Sequence, residues 1–131
     1  MIKFGYTIAY VDNVNDELTF FERVFGIERR FVTPDGDYGE LATGATVLAF
    51  ANHVLGEMNL PEGYVKGNQD RPVGVEIAMV TDDVNTVHLK ALEHGARELR
   101  GPVDKPWGQT VSYVVSPSGV LLEICSLLKP G

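Results

Sequence analysis

The chain has 131 residues, 44% of them apolar and 22% charged, and its eighteen acidic against eleven basic side chains give a formal net charge of −7. That length supports one domain or two half-sized modules sharing a core, and that apolar content excludes a disordered chain. The negative charge disfavours nucleic acid and anionic lipid as partners, and a lone cysteine, Cys125, excludes an intramolecular disulfide.

The opening Met1-Ile2-Lys3-Phe4 lacks a basic segment leading into an apolar one, and no run approaches the ~18–20 apolar residues that span a bilayer. With no Cys/His cluster at structural-zinc spacing either, a cytoplasmic location is expected.

From Ile2 to Val11 the bulky Ile2, Phe4, Tyr6, Ile8 and Tyr10 alternate with smaller residues, the period of a strand with two unlike faces. Asp12 and Asn13 then precede Val14, Leu18, Phe21 and Phe25 at helical spacing, with Asp16 and Glu17 in the first turn and Gly26 after the last. Ile27 to Thr33 reads as a second strand, Pro34-Asp35-Gly36 as a turn, Tyr38 to Thr43 as a third strand and Ala45 to Ala51 as a fourth. Residues 52–72, broken by Asn, Gly and Pro, read as a connector able to drape over a binding face.

A second series follows. Val73, Val75, Ile77 and Met79 alternate with Gly74, Glu76, Ala78 and Val80, so one strand face is wholly apolar and the other carries a single carboxylate. Asp82-Asp83 open a helix that runs to His94 and stops at Gly95; Arg97 to Pro102, Gln109 to Val115 and Val120 to Cys125 supply three more strands. The order β-α-β-β-β therefore occurs twice. An offset of about seventy residues carries Tyr6 onto Glu76, Asn13 onto Asp83 and Val14 onto Val84, which favours internal duplication over two chance strand-helix-strand stretches.

Two stretches carry a family resemblance. Val11 to Gly26, with its aromatic pair Phe20-Phe21 and closing Phe25-Gly26, resembles the first helix of the vicinal oxygen chelate superfamily, which includes glyoxalase I, extradiol dioxygenases and bleomycin-resistance proteins. Pro106-Trp107-Gly108-Gln109, followed by Val114-Val115-Ser116-Pro117-Ser118-Gly119-Val120-Leu121-Leu122-Glu123-Ile124, is similar to that family's last hairpin, where aspartate more often precedes the proline. The resemblance implies an α+β fold of two βαβββ modules (1–51 and 73–131) forming a curved mixed sheet, paired in a homodimer, with a small molecule on the concave side. It also implies a divalent metal held by the first and last strand of each module, at the places of Tyr6, Leu48 or its neighbour Ala49, Glu76 and Glu123.

Only Glu76 and Glu123 are strong ligands in that set; Tyr6 as phenolate is a third, and two carboxylates alone hold zinc, nickel, manganese or iron weakly. Glu123, between Leu122 and Ile124, must point away from the helix-covered face, as a rim carboxylate paired with Arg or Lys, a metal ligand, a general base or a cation anchor. Trp107 either closes the core or stacks on a ligand, and Tyr6, Phe50 and Tyr113 are further stacking candidates. His53 reads as a solvated loop residue, His88 and His94 as surface residues and Cys125 as a small buried hydrophobe.

Beside a structural or protein-interaction role, which fold alone does not exclude, two functions remain. One is a stoichiometric binding protein of the bleomycin-resistance type that takes a partly cationic aromatic compound and needs no cofactor, with Tyr6, Phe50, Glu76, Trp107, Tyr113 and Glu123 around the ligand. The other is a metal-dependent lyase, isomerase or dioxygenase in which Glu76, Glu123 and Tyr6 hold the ion. No phosphate loop or Ser-His-Asp arrangement supports nucleotide-dependent or acyl-transfer chemistry.

Overall fold

The computed structural model describes residues 1–128 and divides them into two units, which meet between Lys66 and Gly67. The first contains β1 (Tyr6–Val11), α1 (Val14–Phe25), β2 (Arg29–Val32), β3 (Tyr38–Leu41), β4 (Val47–Asn52) and α2 (His53–Asn59). The second contains β5 (Glu76–Val80), α3 (Val84–Glu93), β6 (Arg97–Asp104), β7 (Thr110–Val115) and β8 (Leu121–Cys125). Each unit has one four-stranded sheet, in the order β1-β4-β3-β2 and β5-β8-β7-β6, with only the β1–β4 and β5–β8 pairs parallel. The doubled β-α-β-β-β order is thus present, with one helix added.

Both main helices begin where the sequence places their caps. The Asn13 side chain accepts from the Asp16 N–H and that of Asp83 from the Thr86 N–H, each satisfying a first-turn donor that has no partner within its helix. Gly26 ends α1 at φ 69°, a left-handed conformation that a side chain would strain, and returns its N–H to the Glu22 carbonyl.

Strand starts differ from the alternation pattern. β1 begins at Tyr6 rather than Ile2 because its partner β4 begins at Val47, opposite Tyr6, so earlier residues have no strand to pair with. Likewise β5 begins at Glu76, opposite Leu121, rather than at Val73. β6 runs past Pro102 to Asp104; as an edge strand with two register shifts it tolerates a residue without an N–H.

The larger departure lies in residues 52–72, whose first part is helical. Asn52 caps α2 by accepting from the Leu55 N–H, and Gly56, which reads as a breaker, leaves room for the Tyr64 hydroxyl and the Tyr10 ring where a Cβ would collide with them. Tyr64 stacks on Tyr10 with ring centroids 4.7 Å apart, which ties the segment after α2 back to β1. A helix of two turns with an internal glycine has too little periodicity to be read from sequence.

Because paired residues share a sheet face, the register fixes what each sheet shows. In the first, Phe50, Leu48, Leu41 and Gly39 face α1, where Phe50 meets Phe21 at 5.2 Å and Leu18 lies over Gly39. Tyr6, Ile8, Tyr38, Glu40 and Ala49 occupy the opposite, open face. In the second, Ser112, Val114, Leu122 and Ile124 face α3, while Glu76, Ala78, Tyr113, Glu123 and Cys125 share the open face. Burying each large apolar side chain on the helix side stabilises the fold by about 1.5–3 kcal/mol.

Candidate functional site

The open face of the second sheet gathers three of the residues singled out from the sequence. β8 is flanked by β5 and β7, so Glu123 lies opposite Ala78 on one side and Tyr113 on the other, with Glu76 one alternation further along β5. The Tyr113 hydroxyl donates to Glu123 Oε1 at 2.9 Å, and the bond to the carboxylate, ahead of burial, holds the phenol above its ordinary pKa. Burial, followed by a hydrogen bond to Glu123, pushes the Cys125 thiol up to about 11. Both groups therefore stay protonated near neutrality, and the Tyr113 hydroxyl is the donor that the Glu123 carboxylate faces. Loss of hydration and then the neighbouring Glu123 charge raise the Glu76 carboxyl. None of the ion pairs among the described residues includes Glu76 or Glu123, while the register places the Arg100 guanidinium opposite Tyr113 on the same face.

The other sequence candidates lie elsewhere. Tyr6 is in the first unit, exposed on the open face of its own sheet. Phe50 has no exposure and packs on Phe21 toward α1, so it is a core residue on the opposite side of the sheet from Tyr6. Trp107 is 57% exposed on the β6–β7 turn, donates from Nε1 to the Gln109 side chain, and has the Lys105 ammonium over its ring at 5.8 Å. It does not close the core.

Two histidines correct the sequence reading. His88 is buried in α3, its Nδ1 2.9 Å from Ser112 Oγ and its Nε2 2.7 Å from Glu98. His53 is buried at the start of α2, 2.7 Å from the Tyr64 hydroxyl and 3.5 Å from Asp12. A polar residue reads as surface in sequence, but here each ring nitrogen faces a polar partner that makes burial tolerable.

Missed by the sequence reading is a group on the open face of the first sheet. Glu40 is only 6% exposed, accepting from the Tyr38 hydroxyl at 2.8 Å and pairing with Arg30 Nη1 at 3.2 Å. Burial, then the bond to Glu40, raises the Tyr38 phenol strongly. The signal was present: in Tyr38-Gly39-Glu40-Leu41, alternation puts Tyr38 and Glu40 on one face and Gly39 and Leu41 on the other. Register also settles which first-module residue matches Glu123. Ala49 lies opposite Ile8 as Glu123 lies opposite Ala78, so the equivalent is Ala49, with Leu48 facing the helix side.

A divalent ion does not suit this donor set. Among the described residues no three His, Cys, Asp or Glu side chains converge to hold a metal. On the second sheet, Glu123 already accepts from the Tyr113 hydroxyl, and the repeat-equivalent place on the first sheet is an alanine.

A family model described as Glyoxalase/Bleomycin resistance protein/Dioxygenase superfamily matches residues 3–124. A glyoxalase-related enzyme from Fulvimarina pelagi superposes with a TM-score of 0.83 at 17% identity, covering 97% of this chain and 89% of that one. A glyoxalase/bleomycin resistance protein/dioxygenase family enzyme from Burkholderia phytofirmans PsJN gives 0.82 at 18% identity, covering 97% and 100%. A glyoxalase/bleomycin resistance protein/dioxygenase from Nocardioides gives 0.74 at 15%, covering 100% and 87%. No curated protein matches the chain. At such identities the superpositions establish the fold alone.

Proposed function

The chain belongs to the Glyoxalase/Bleomycin resistance protein/Dioxygenase superfamily, and from that premise we propose that it is a binding protein that sequesters a partly cationic aromatic small molecule. The observation that carries this reading is the pair of carboxylates, Glu76 and Glu123, without an ion-pair partner among the described residues, on the open face of the second sheet beside the Tyr113 ring. A cationic guest relieves the repulsion that raises Glu76, and Tyr113, held by its bond to Glu123, offers a fixed ring for stacking. The overall charge of −7 draws a cation toward the chain from a distance.

The test is calorimetric titration with quinolinium and aryl-guanidinium compounds beside neutral aromatics of the same shape. Cationic members should bind more tightly, and Glu123→Gln should weaken them by about 1.5–3 kcal/mol, the range for hydrogen bonds to charged groups. Unchanged affinity in that variant removes Glu123 from the site. Metal analysis of protein purified without chelator decides against the metal-dependent reading or for it: one ion per chain, lost in Glu76→Gln, would replace the present proposal.

Self-association is part of the same reading. The edge strands β1 and β5 and the segments before them expose Ile2, Phe4, Ile8, Val73, Val75 and Val80, apolar surface of the kind a second copy covers. Sedimentation equilibrium should give a dimer mass, and a monomer at high micromolar concentration would remove this part of the proposal. No described helix is long and apolar enough to cross a membrane.

A further inference from the structure

The first module's open face is built differently, around a bulge. β2 pairs with β3 through Arg29 opposite Leu41 and then Phe31 opposite Glu40, so Arg30 is an extra residue in the strand. The consequence is that two successive side chains aim at the same face: Arg30 reaches Glu40 at 3.2 Å, and Phe31 lies 6.0 Å from the Tyr38 ring. Without the bulge, alternation would send one of them toward α1, as it sends Arg29 to Glu22.

Glu40 is a buried carboxylate that holds the guanidinium by one nitrogen, Nη1, while half of the Arg30 side chain stays exposed. The Tyr38 hydroxyl donates to the other carboxylate oxygen, so the acceptor is filled and fixed before any ligand arrives. An arginine gripped at one nitrogen keeps the rest of its planar donor fork for an incoming oxyanion, and a carboxylate fits that fork through two parallel hydrogen bonds. Beside it stands the Phe31 ring, 44% exposed, and further across the sheet the facing residues are the small Ala49 and Ala51.

We infer that this face is a recognition site, which takes a flat aromatic carboxylate with its acid group on the outer edge of Arg30 and its ring against Phe31 and Tyr38. Its charge preference is opposite to that of the second module's face, and it does not depend on what the second face binds. The alternative occupant, a cation drawn by Glu40, would have to displace both Arg30 and the Tyr38 hydroxyl from a carboxylate already enclosed by them.

The full chain is titrated with 2-naphthoate and with its neutral isostere 2-naphthamide, by calorimetry and by two-dimensional NMR that includes the arginine Nε–Hε signals. The expected result is at least about tenfold tighter binding of the acid, with shifts at Arg30, Phe31 and Tyr38. Arg30→Gln should abolish the preference, and Arg30→Lys should restore only part of it, because an ammonium lacks the fork. Equal affinity for acid and amide, a preference that survives Arg30→Gln, or shifts centred on Tyr113 instead would each overturn the inference. Should Arg30→Gln fail to fold, the acid-to-amide ratio and the shift map in the unaltered protein decide alone.

Discussion

The two modules share a strand order and a helix position, yet they treat polar groups in opposite ways. Leu18 lies over Gly39 in the first module, while in the second the helix position seventy residues on is His88, bonded to Ser112. Ser112 lies opposite Ile124 as Gly39 lies opposite Phe50, so a large apolar residue over a glycine has been exchanged for a bonded polar pair. The carboxylates differ in parallel. In the first module Glu22 pairs with Arg29 and Glu40 with Arg30, whereas in the second Glu76 and Glu123 share a face and enter no ion pair among the described residues. One architecture thus supports carboxylates held in ion pairs and carboxylates without them, and the difference lies in a handful of side chains rather than in the fold.

Exchanging the core pairs tests how far each module depends on its own solution. Leu18→His places an imidazole in the first core over a glycine that offers it no side-chain partner, and the expected loss is about 3–5 kcal/mol by urea denaturation. The reverse change, His88→Leu, strands the buried Ser112 hydroxyl but frees Glu98 toward water, so its loss should be smaller, about 1–3 kcal/mol. Equal losses would mean that the polar pair is no more tolerant than the apolar one, and the contrast between the cores would collapse. Gly39→Ala sharpens the point: its Cβ would sit 2.7 Å from Leu18 Cδ1 and 3.2 Å from the Phe31 carbonyl, which should cost about 1–3 kcal/mol.

On the open faces the effects are smaller. Arg30→Met leaves Glu40 enclosed with the Tyr38 hydroxyl as its remaining donor, and because the guanidinium is half exposed the loss should be about 1–2 kcal/mol. Glu123→Gln removes one of two like charges while leaving Tyr113 an oxygen to bond, so stability should stay within about 0.5 kcal/mol. A larger loss in the second variant than in the first would reverse the assignment of structural and ligand-facing carboxylates.

What was legible in the sequence follows the same division. Caps, turns and alternation placed both modules, because Asn13, Asp83 and Gly26 act within a few residues of themselves. Alternation also put Glu76 and Glu123 on the faces they occupy, though not in which company. The Arg30–Glu40 pair was out of reach because a bulge adds a residue without any mark in composition, and it shifts every inference from parity by one. Phe50 was misassigned to the ligand for a related reason: its strand is apolar on both faces, so only the register against β1 and β3 shows that it meets Phe21. His53 and His88 were hidden because their partners, Tyr64, Ser112 and Glu98, lie ten or more residues away.

The smallest expected effect separates the modules by pH. Arg29 holds the Glu22 carboxyl below its ordinary value, so the unfolded chain binds that proton more readily than the folded one. The stability it contributes is fully present above the ordinary glutamate range and is lost as pH falls through the lowered folded value. Glu76 has the opposite sign. Its folded pKa is raised by lost hydration and by Glu123, so the folded chain keeps a proton that the unfolded chain has released, and stability declines as pH rises from about 4.5 through the raised value. Urea midpoints measured at closely spaced pH values should therefore show Glu22→Gln flattening the acid limb and Glu76→Gln flattening a shallow decline above it. Both groups are largely solvated, so high salt should shrink both slopes. If the two substitutions change the profile in the same direction, the two modules do not differ in how they handle their carboxylates, and the opposed charge preferences proposed for their faces lose their electrostatic basis.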